Sequence, residues 1–596
     1  MGFAARSLDA SLVTPDTSPP ADESSRQSMI VKREAKPTAR TADVLVDILV
    51  DAGVEVIFGL PGGPIAPIHD ALLDRPEIRT ITTRHEAGAV FAAAGYAQTT
   101  GKLAVAVVTS GPGILNALTG LASAHCDGLP VLLLCGEVPK DRFGKGACHE
   151  GSVYELDIVH MARSITKLAA QAHDPNLAPA LMQRAIATAL SGRRGAVLLS
   201  LPMDVMTAEM RRPMIDVSAH VEFDVDRKTL ASVSHALDTA ERGVLLVGSG
   251  ARWGQGPRRV RELAERLQMP VMTTPKAKGV FPENHPLSLG VFGWGGHPSA
   301  HEYLGQGIDV LMAIGTSLGE SATDNWSRLL SPTKEFIQLD VEAERIGRSY
   351  PVTIGLVDTV EQALPKIMAR LGTGVREKKS FGVRRHEPGD LLLAGDEGRI
   401  SPQRALWELQ QVLPQGTRYT SDIGAHMFFA LHHLEIVEPR GFMTMLGLAS
   451  MGSGIGSAVG VKVAEPHLPV VSICGDGCFS MGLGDVATAA MEGIPMIVAV
   501  MNDERYGMVE IGNNVVYGRS PAFPSGPMSV PRLAEGIGAR FAEVDKPGQI
   551  LEMDLLSLAE HRPLVLDIKI DRSVHLNKAR LEFLKEMATA KKRTLS

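Results

Sequence analysis

Three separate times along this chain, short continuous apolar runs alternate with stretches of helical character. In the first block, residues 41–210, the runs are Val54–Phe58, Ala104–Val108, Val131–Cys135 and Ala196–Leu199. Runs this short, apolar on both faces, predict strands buried on both sides of a parallel sheet. A second block, residues 223–372, repeats the pattern at Val244–Val247, Pro270–Thr273, Val310–Ile314 and Phe336–Leu339. A third, residues 400–570, repeats it at Val470–Cys474, Met496–Met501 and Leu564–Ile568. Strands joined through helices by right-handed crossovers predict an α/β chain of three doubly wound parallel-sheet domains. Pro- and Asp-containing text near Arg211–Asp226 and a charged, Gly-containing stretch at residues 373–399 read as linkers. Residues 1–40, rich in Ser, Pro, Asp and Thr, read as a disordered extension, and residues 571–596 as a solvated tail with a basic end.

Composition excludes several classes of function. Hydrophobic residues make up 44% and charged residues 21% of 596, which is globular and rules out a disordered, collagen-like or disulfide-stapled chain. The net charge of −7 offers no basic excess for nucleic acid. No apolar run reaches the roughly 18–20 residues of a membrane span. Cys126, Cys135, Cys148, Cys474 and Cys478 form no C-x-x-C pair, and the start of the chain has no apolar leader, so reduced thiols in the cytoplasm are expected.

The third block carries the sharpest motif. The run Val470–Cys474 ends in Gly475-Asp476-Gly477, a helix is expected over 483–492 with Gly493 as its stop, and the next run ends in Asn502-Asp503. One βαβ unit therefore brings Asp476 and Asp503, 27 residues apart, to the same sheet edge. Two carboxylates beside glycines and a helix N-terminus suit Mg²⁺ bridged to a diphosphate.

With Tyr506-Gly507 following, this text resembles the diphosphate-binding motif of thiamine diphosphate enzymes. The resemblance implies Mg²⁺ held by Asp476, Asp503 and the Arg505 carbonyl. It implies diphosphate contacts from Ala425-His426 and Gly477-Cys478, with Gly475, Tyr506, Gly507 and Met508 also at the cofactor. Gly447-Leu-Ala-Ser-Met-Gly-Ser-Gly matches the segment beneath the cofactor, where the Ala449 carbonyl would accept from the aminopyrimidine and Met451 would bend the molecule. In the first block, Arg84-His-Glu-Ala-Gly-Ala supplies the acid, Glu86, that activates the pyrimidine ring. Phe58-Gly-Leu-Pro-Gly62-Gly63-Pro, Thr109-Ser-Gly-Pro-Gly113 with Asn116, and Asp127-Gly-Leu-Pro complete a likeness to acetolactate synthases over about residues 41–570. It implies pyrimidine-binding, middle and diphosphate-binding domains in that order. It also implies a carboligase acting on 2-oxo acids, and sites between chains of a dimer or tetramer. Gly62 and Asn116 are expected at the cofactor; Gly63 N–H and His149 are expected to stabilise developing oxyanions.

The departures bear on substrate. Where the family carries Ala-Phe-Gln-Glu, this chain reads Ala147-Cys148-His149-Glu150, and where the family places a Trp that narrows the acceptor pocket it has Gly512. Cys148, His149 and Gly512 are thus the expected substrate-pocket residues, and losing a Trp predicts an acceptor larger than pyruvate. The run with which the family binds a non-redox FAD is replaced across Gly315–Asp324, and its lysine is Met203, which counts against FAD; Arg193 and Gly248-Ser-Gly250 leave that cofactor possible. A 2-oxo acid decarboxylase, an acyloin lyase and a catalytically silent homologue stand as alternatives, the last opposed by intact Glu86, Asp476 and Asp503.

Overall fold

The computed structural model describes residues 38–212, 225–385, 398–526 and 528–574. Three six-stranded sheets form, and every strand pair within them is parallel. The expected runs all become strands, because their side chains are buried on both faces: Val131–Glu137, Val310–Ile314 and Ile497–Asn502 have no exposed residue.

The order of strands was not legible in the sequence. Counting strands along the chain within each sheet, the first and third sheets both run 2-1-3-4-6-5, whereas the middle one runs 3-2-1-4-5-6. In the outer sheets the order reverses between strands 1 and 3. Those are Val56–Gly59 and Ala104–Val108 in the first sheet, and Arg418–Ser421 and Val470–Gly475 in the third. Loops leaving the carboxyl ends of strands on either side of such a reversal diverge and leave a crevice for a ligand.

The outer domains share one core although the whole middle domain separates them in sequence. Phe58, Ala93, Leu133, Ile455, Phe479 and Val498 belong to a single apolar cluster. Its centre is the crossing of two helices, Glu86–Thr100 and Ser453–Ala464. Glycines make that crossing close: a Cβ on Gly460 would stand 1.8 Å from the Ala92 carbonyl oxygen, and one on Gly95 would stand 2.1 Å from that of Ser457. The middle domain keeps its own core on the two faces of its sheet.

One expectation changes. Residues 38–40 are not part of a disordered extension; Thr38–Arg40 forms a strand paired antiparallel with Glu209–Arg211, closing the first domain's ends together. Residues 1–37, most of 211–226, the centre of the second linker and the tail from 575 lie outside the described residues. Among the described residues no helix is long and apolar enough to cross a membrane, and none of the five cysteines is in a disulfide.

Candidate active site

At the third sheet's reversal the site is built from strand ends. Asp476 opens the helix Asp476–Met481 immediately after strand Val470–Gly475, and the neighbouring strand ends at Asn502 with Gly475 paired to Met501. This register sets Asp476 beside Asp503. Burial pushes both carboxyls above their usual range, and the neighbouring Asp476 charge adds to the rise at Asp503. Asp476 is steadied by the Ser525 hydroxyl, which donates to its Oδ2, and Asp503 Oδ2 accepts from Arg505 Nε at 3.1 Å. Arg505 also reaches Glu510 at 2.9 Å, so its side chain is engaged while the backbone follows the loop. A Cβ on Gly477 would lie 2.6 Å from the Tyr506 ring, and one on Gly507 2.3 Å from Asp503 Oδ2, so a side chain at either position would push Tyr506 or Asp503 from its place.

Next to these acids sits His426, on the helix Ala425–His433. Its ring lies 3.2 Å from where a Cβ of Gly475 would stand. Burial lowers its pKa to about 4, so the imidazole is neutral, and its Nε2 is buried with no hydrogen-bond partner. An orphaned ring nitrogen beside a helix N-terminus and two carboxylates is a donor set for a phosphate with a hard cation. Among the described residues no three His, Cys, Asp or Glu side chains converge on a metal position. Two carboxylates therefore need oxygen from a carbonyl, water and phosphate to complete a Mg²⁺ shell, which is how that ion is commonly held.

Asp422 was not singled out by sequence. It is fully buried after strand Arg418–Ser421, and its oxygens accept from the backbone N–H groups of Ile423, Gly452 and Gly454 at 2.7–2.9 Å. It fixes the segment of Ala449 and Met451, in which Ala449 is held at φ +59° and Gly452 at +85°. No local signal marks it, since neither the strand before it nor the order of strands is legible in the sequence. Cys478 Sγ reaches the Ile423 carbonyl at 3.2 Å, tying the same two loops.

In the first domain the loops after strands 1 and 3 meet. Gly62 lies against Thr109, where a Cβ would be 2.5 Å from the Thr109 Cβ, while Gly63 faces open space. Glu86 is the first residue of its helix, 6% exposed, and accepts from Asn116 Nδ2 at 3.0 Å. A Cβ on Gly113 would be 3.6 Å from Glu86 Oε1, and one on Gly111 would be 3.0 Å from the Cα and Cβ of His149. One turn, Thr109–Gly113, thus brings Glu86 and His149 together. Cys148 and His149 are both exposed. Gly512 lies on the helix Gly507–Tyr517, and a Cβ there would meet no atom within 4 Å. In one chain Glu86 touches its own domain's turns, while the acids of residues 476 and 503 are held by Ser525 and Arg505.

The middle sheet has its own crevice, a cavity of about 670 Å³ at its order reversal. Its lining includes Gly250, Gly315, Asp340, Arg193, Arg194 and Lys276. From the stretch Gly315–Asp324, only Gly315 and Ser317 reach it, so the departure from the family's FAD-binding run lies on the wall of this cavity.

Comparison with known proteins follows the three sheets. Residues 39–161 match the family model for the N-terminal TPP binding domain of thiamine pyrophosphate enzymes, residues 230–367 the central domain, and residues 422–568 the C-terminal TPP binding domain. The acetolactate synthase of Arthrospira platensis is 33% identical over 563 residues, covering 91% of this chain and 96% of the relative. The acetolactate synthase large subunit of Corynebacterium glutamicum is 30% identical over 569 residues, covering 90% and 87%. The mitochondrial acetolactate synthase catalytic subunit of Saccharomyces cerevisiae is 27% identical over 593 residues, covering 93% and 85%.

Proposed function

The chain belongs to the thiamine pyrophosphate enzymes, in their acetolactate synthase-like branch; from that premise we propose that it is a Mg²⁺-dependent carboligase with an enlarged acceptor pocket. It decarboxylates a 2-oxo acid and joins the acyl unit to a second 2-oxo acid or aldehyde, giving an acyloin or a 2-hydroxy-3-oxo acid. When bound, thiamine diphosphate supplies the carbon nucleophile and the electron sink for that exchange.

Asp476, Asp503 and the Arg505 carbonyl would hold Mg²⁺, and His426, Gly477 and Cys478 would meet the diphosphate. The orphaned His426 Nε2, the buried Asp476 carboxylate and the half-buried Asp503 carboxylate on the adjacent strand end are the observations that support this fit. Glu86, desolvated and oriented by Asn116, would hold a proton between its carboxylate and the pyrimidine ring. Gly63 N–H and His149, on either side of the Thr109–Gly113 turn, would donate to oxyanion character developing on the substrate. Gly512, with open space where a side chain would begin, is the single observation that carries the larger acceptor. FAD is not part of the proposal: the Gly315–Asp324 stretch adds no basic side chain to the middle-domain cavity, although Arg193, Arg194 and Lys276 line it.

On the likeness to acetolactate synthases we propose at least a dimer, with each site shared between the first domain of one subunit and the third domain of another. The test is product analysis by NMR with thiamine diphosphate, Mg²⁺ and a panel of 2-oxo acids of increasing size. A coupled product that requires both additions supports the reading. Aldehyde alone would reduce it to a decarboxylase, and no turnover of any 2-oxo acid would overturn it.

A further inference from the structure

Two buried acids in the first domain have no part in the site described so far. Glu137 closes strand Val131–Glu137 at the carboxyl edge and is 0% exposed. Its Oε1 accepts from the Val138 N–H at 2.8 Å, and its two oxygens share the Gly151 N–H at 3.2 and 3.1 Å. Gly151 is pressed onto it, since a Cβ there would lie 2.7 Å from Glu137 Oε2. Glu150 is also buried. Its Oε1 accepts from the Gly144 N–H at 2.7 Å and from the Ser152 hydroxyl, and its Oε2 is buried with no hydrogen-bond partner. No Lys, Arg or His forms an ion pair with either acid among the described residues. Burial and the neighbouring Glu150 charge push the Glu137 carboxyl above its usual range.

These contacts grip the two ends of one short loop: Glu150 takes hold at Gly144, and Glu137 at Gly151. Between them the backbone turns through left-handed conformations at Gly144, Gly146 and His149, the last at φ +68°. A non-glycine residue in that region is costly unless its surroundings hold it there. His149 is the exposed residue seated over Gly111, in the turn that also touches Glu86. We propose that Glu137 and Glu150 are positioning residues, a pair of carboxylates that fix the 144–151 loop so that His149 is presented at the substrate end of the site.

The kinetic part of this inference rests on the carboligase reading, and the structural part does not. Glu137→Met keeps the bulk and removes both acceptors, Glu137→Gln keeps one acceptor oxygen, and Glu150→Met releases Gly144. Each is measured as the full-length enzyme loaded with thiamine diphosphate and Mg²⁺. Hydrogen exchange of peptides covering 144–152 is expected to accelerate about tenfold or more in both Met variants and to return towards wild type in Glu137→Gln. The KM of the acceptor should rise severalfold, while kcat for donor decarboxylation stays within about twofold. In a His149→Ala background the Glu137→Met effect on acceptor KM should vanish, because the acid acts through that residue.

Unchanged exchange in the loop would overturn the proposal. So would an effect that simply adds to His149→Ala, or that falls equally on decarboxylation and coupling. If no 2-oxo acid is turned over, the carboligase reading fails by itself and the exchange measurement still decides the clamp. If Glu137→Met does not fold, Glu150→Met, which alters only a loop residue, carries the same test.

Discussion

Asn116 donates its side-chain amide to a carboxylate oxygen of Glu86 at 3.0 Å. Two helices and the Thr109–Gly113 turn set this pair, so the carboxylate is held in one orientation. Preorganisation of this kind moves the chemical step more than binding. Glu86→Gln is therefore expected to lower kcat by two orders of magnitude or more, while Mg²⁺-dependent cofactor binding, followed by fluorescence quenching, largely survives. Mixed with Asp503→Asn and refolded together, it should regain activity that neither has alone, because one site of each mixed dimer is then intact. Turnover unchanged in Glu86→Gln would remove its role, and mixtures without recovery would remove the shared site.

Helix crossing at Gly460 sets the second expectation. A Cβ there would stand 1.8 Å from the Ala92 carbonyl oxygen, which backbone cannot yield cheaply. Gly460→Ala should cost roughly 2–5 kcal/mol, read as a lower urea midpoint. Gly512→Ala is the control: in a helix with open space at the Cβ it should stabilise by up to about 1 kcal/mol. Equal midpoints for the two variants would show that the outer domains do not depend on this contact.

What the sequence made legible follows from where the physics is local. Runs such as Val310–Ile314 are buried on both faces, so apolar content alone marks them. The edge strands Arg79–Thr82, Leu168–Gln171 and Arg540–Val544 went unread, because each is short and partly solvated and so shows no continuous apolar run. Asp476 and Asp503 were legible because one βαβ unit contains both. Asp422 was not, because its worth lies in backbone N–H groups of Gly452 and Gly454, some thirty residues away and brought back only by the order of strands. Glu137 was missed for the same reason, since its partners are backbone amides, which carry no residue signature; Glu150 holds one such amide besides the Ser152 hydroxyl.

Asp485 gives the pH expectation. It is buried where the Glu86 helix meets the third domain, against Gly88 and Gly456, and burial, with the Asp422 charge adding, pushes its carboxyl up to about 7. A carboxyl raised on folding binds its proton more tightly in the native state. Its contribution to stability is therefore complete below about pH 4 and is lost as pH rises through about 7, a change of up to about 4 kcal/mol. Asp485→Asn keeps the shape and removes the titration. The Tm of the variant minus that of the wild type should grow from pH 5 to pH 8 and then level off. A difference that is flat across this window would show that Asp485 ionises freely in the folded protein.

Gly512 carries the expectation about substrate size. It lies one turn into the helix that follows the Asp503 loop, and its missing side chain leaves space that no neighbouring atom fills within 4 Å. Placing an indole there should leave cofactor binding and donor decarboxylation close to wild type, because Asp503, Tyr506 and Gly507 precede it and are untouched. A large acceptor would then lose van der Waals room, whereas pyruvate or 2-oxobutyrate would gain a wall to pack against. A wall of that size is worth about 1–3 kcal/mol of discrimination, or roughly 10- to 200-fold in the ratio of kcat/KM values. Competition between two acceptors of different size in one tube, with the products separated by mass, reads that ratio directly in Gly512→Trp and wild type. A ratio that does not move would mean that the acceptor never approaches this helix, and the enlarged pocket would have to be sought at Cys148 and His149 instead.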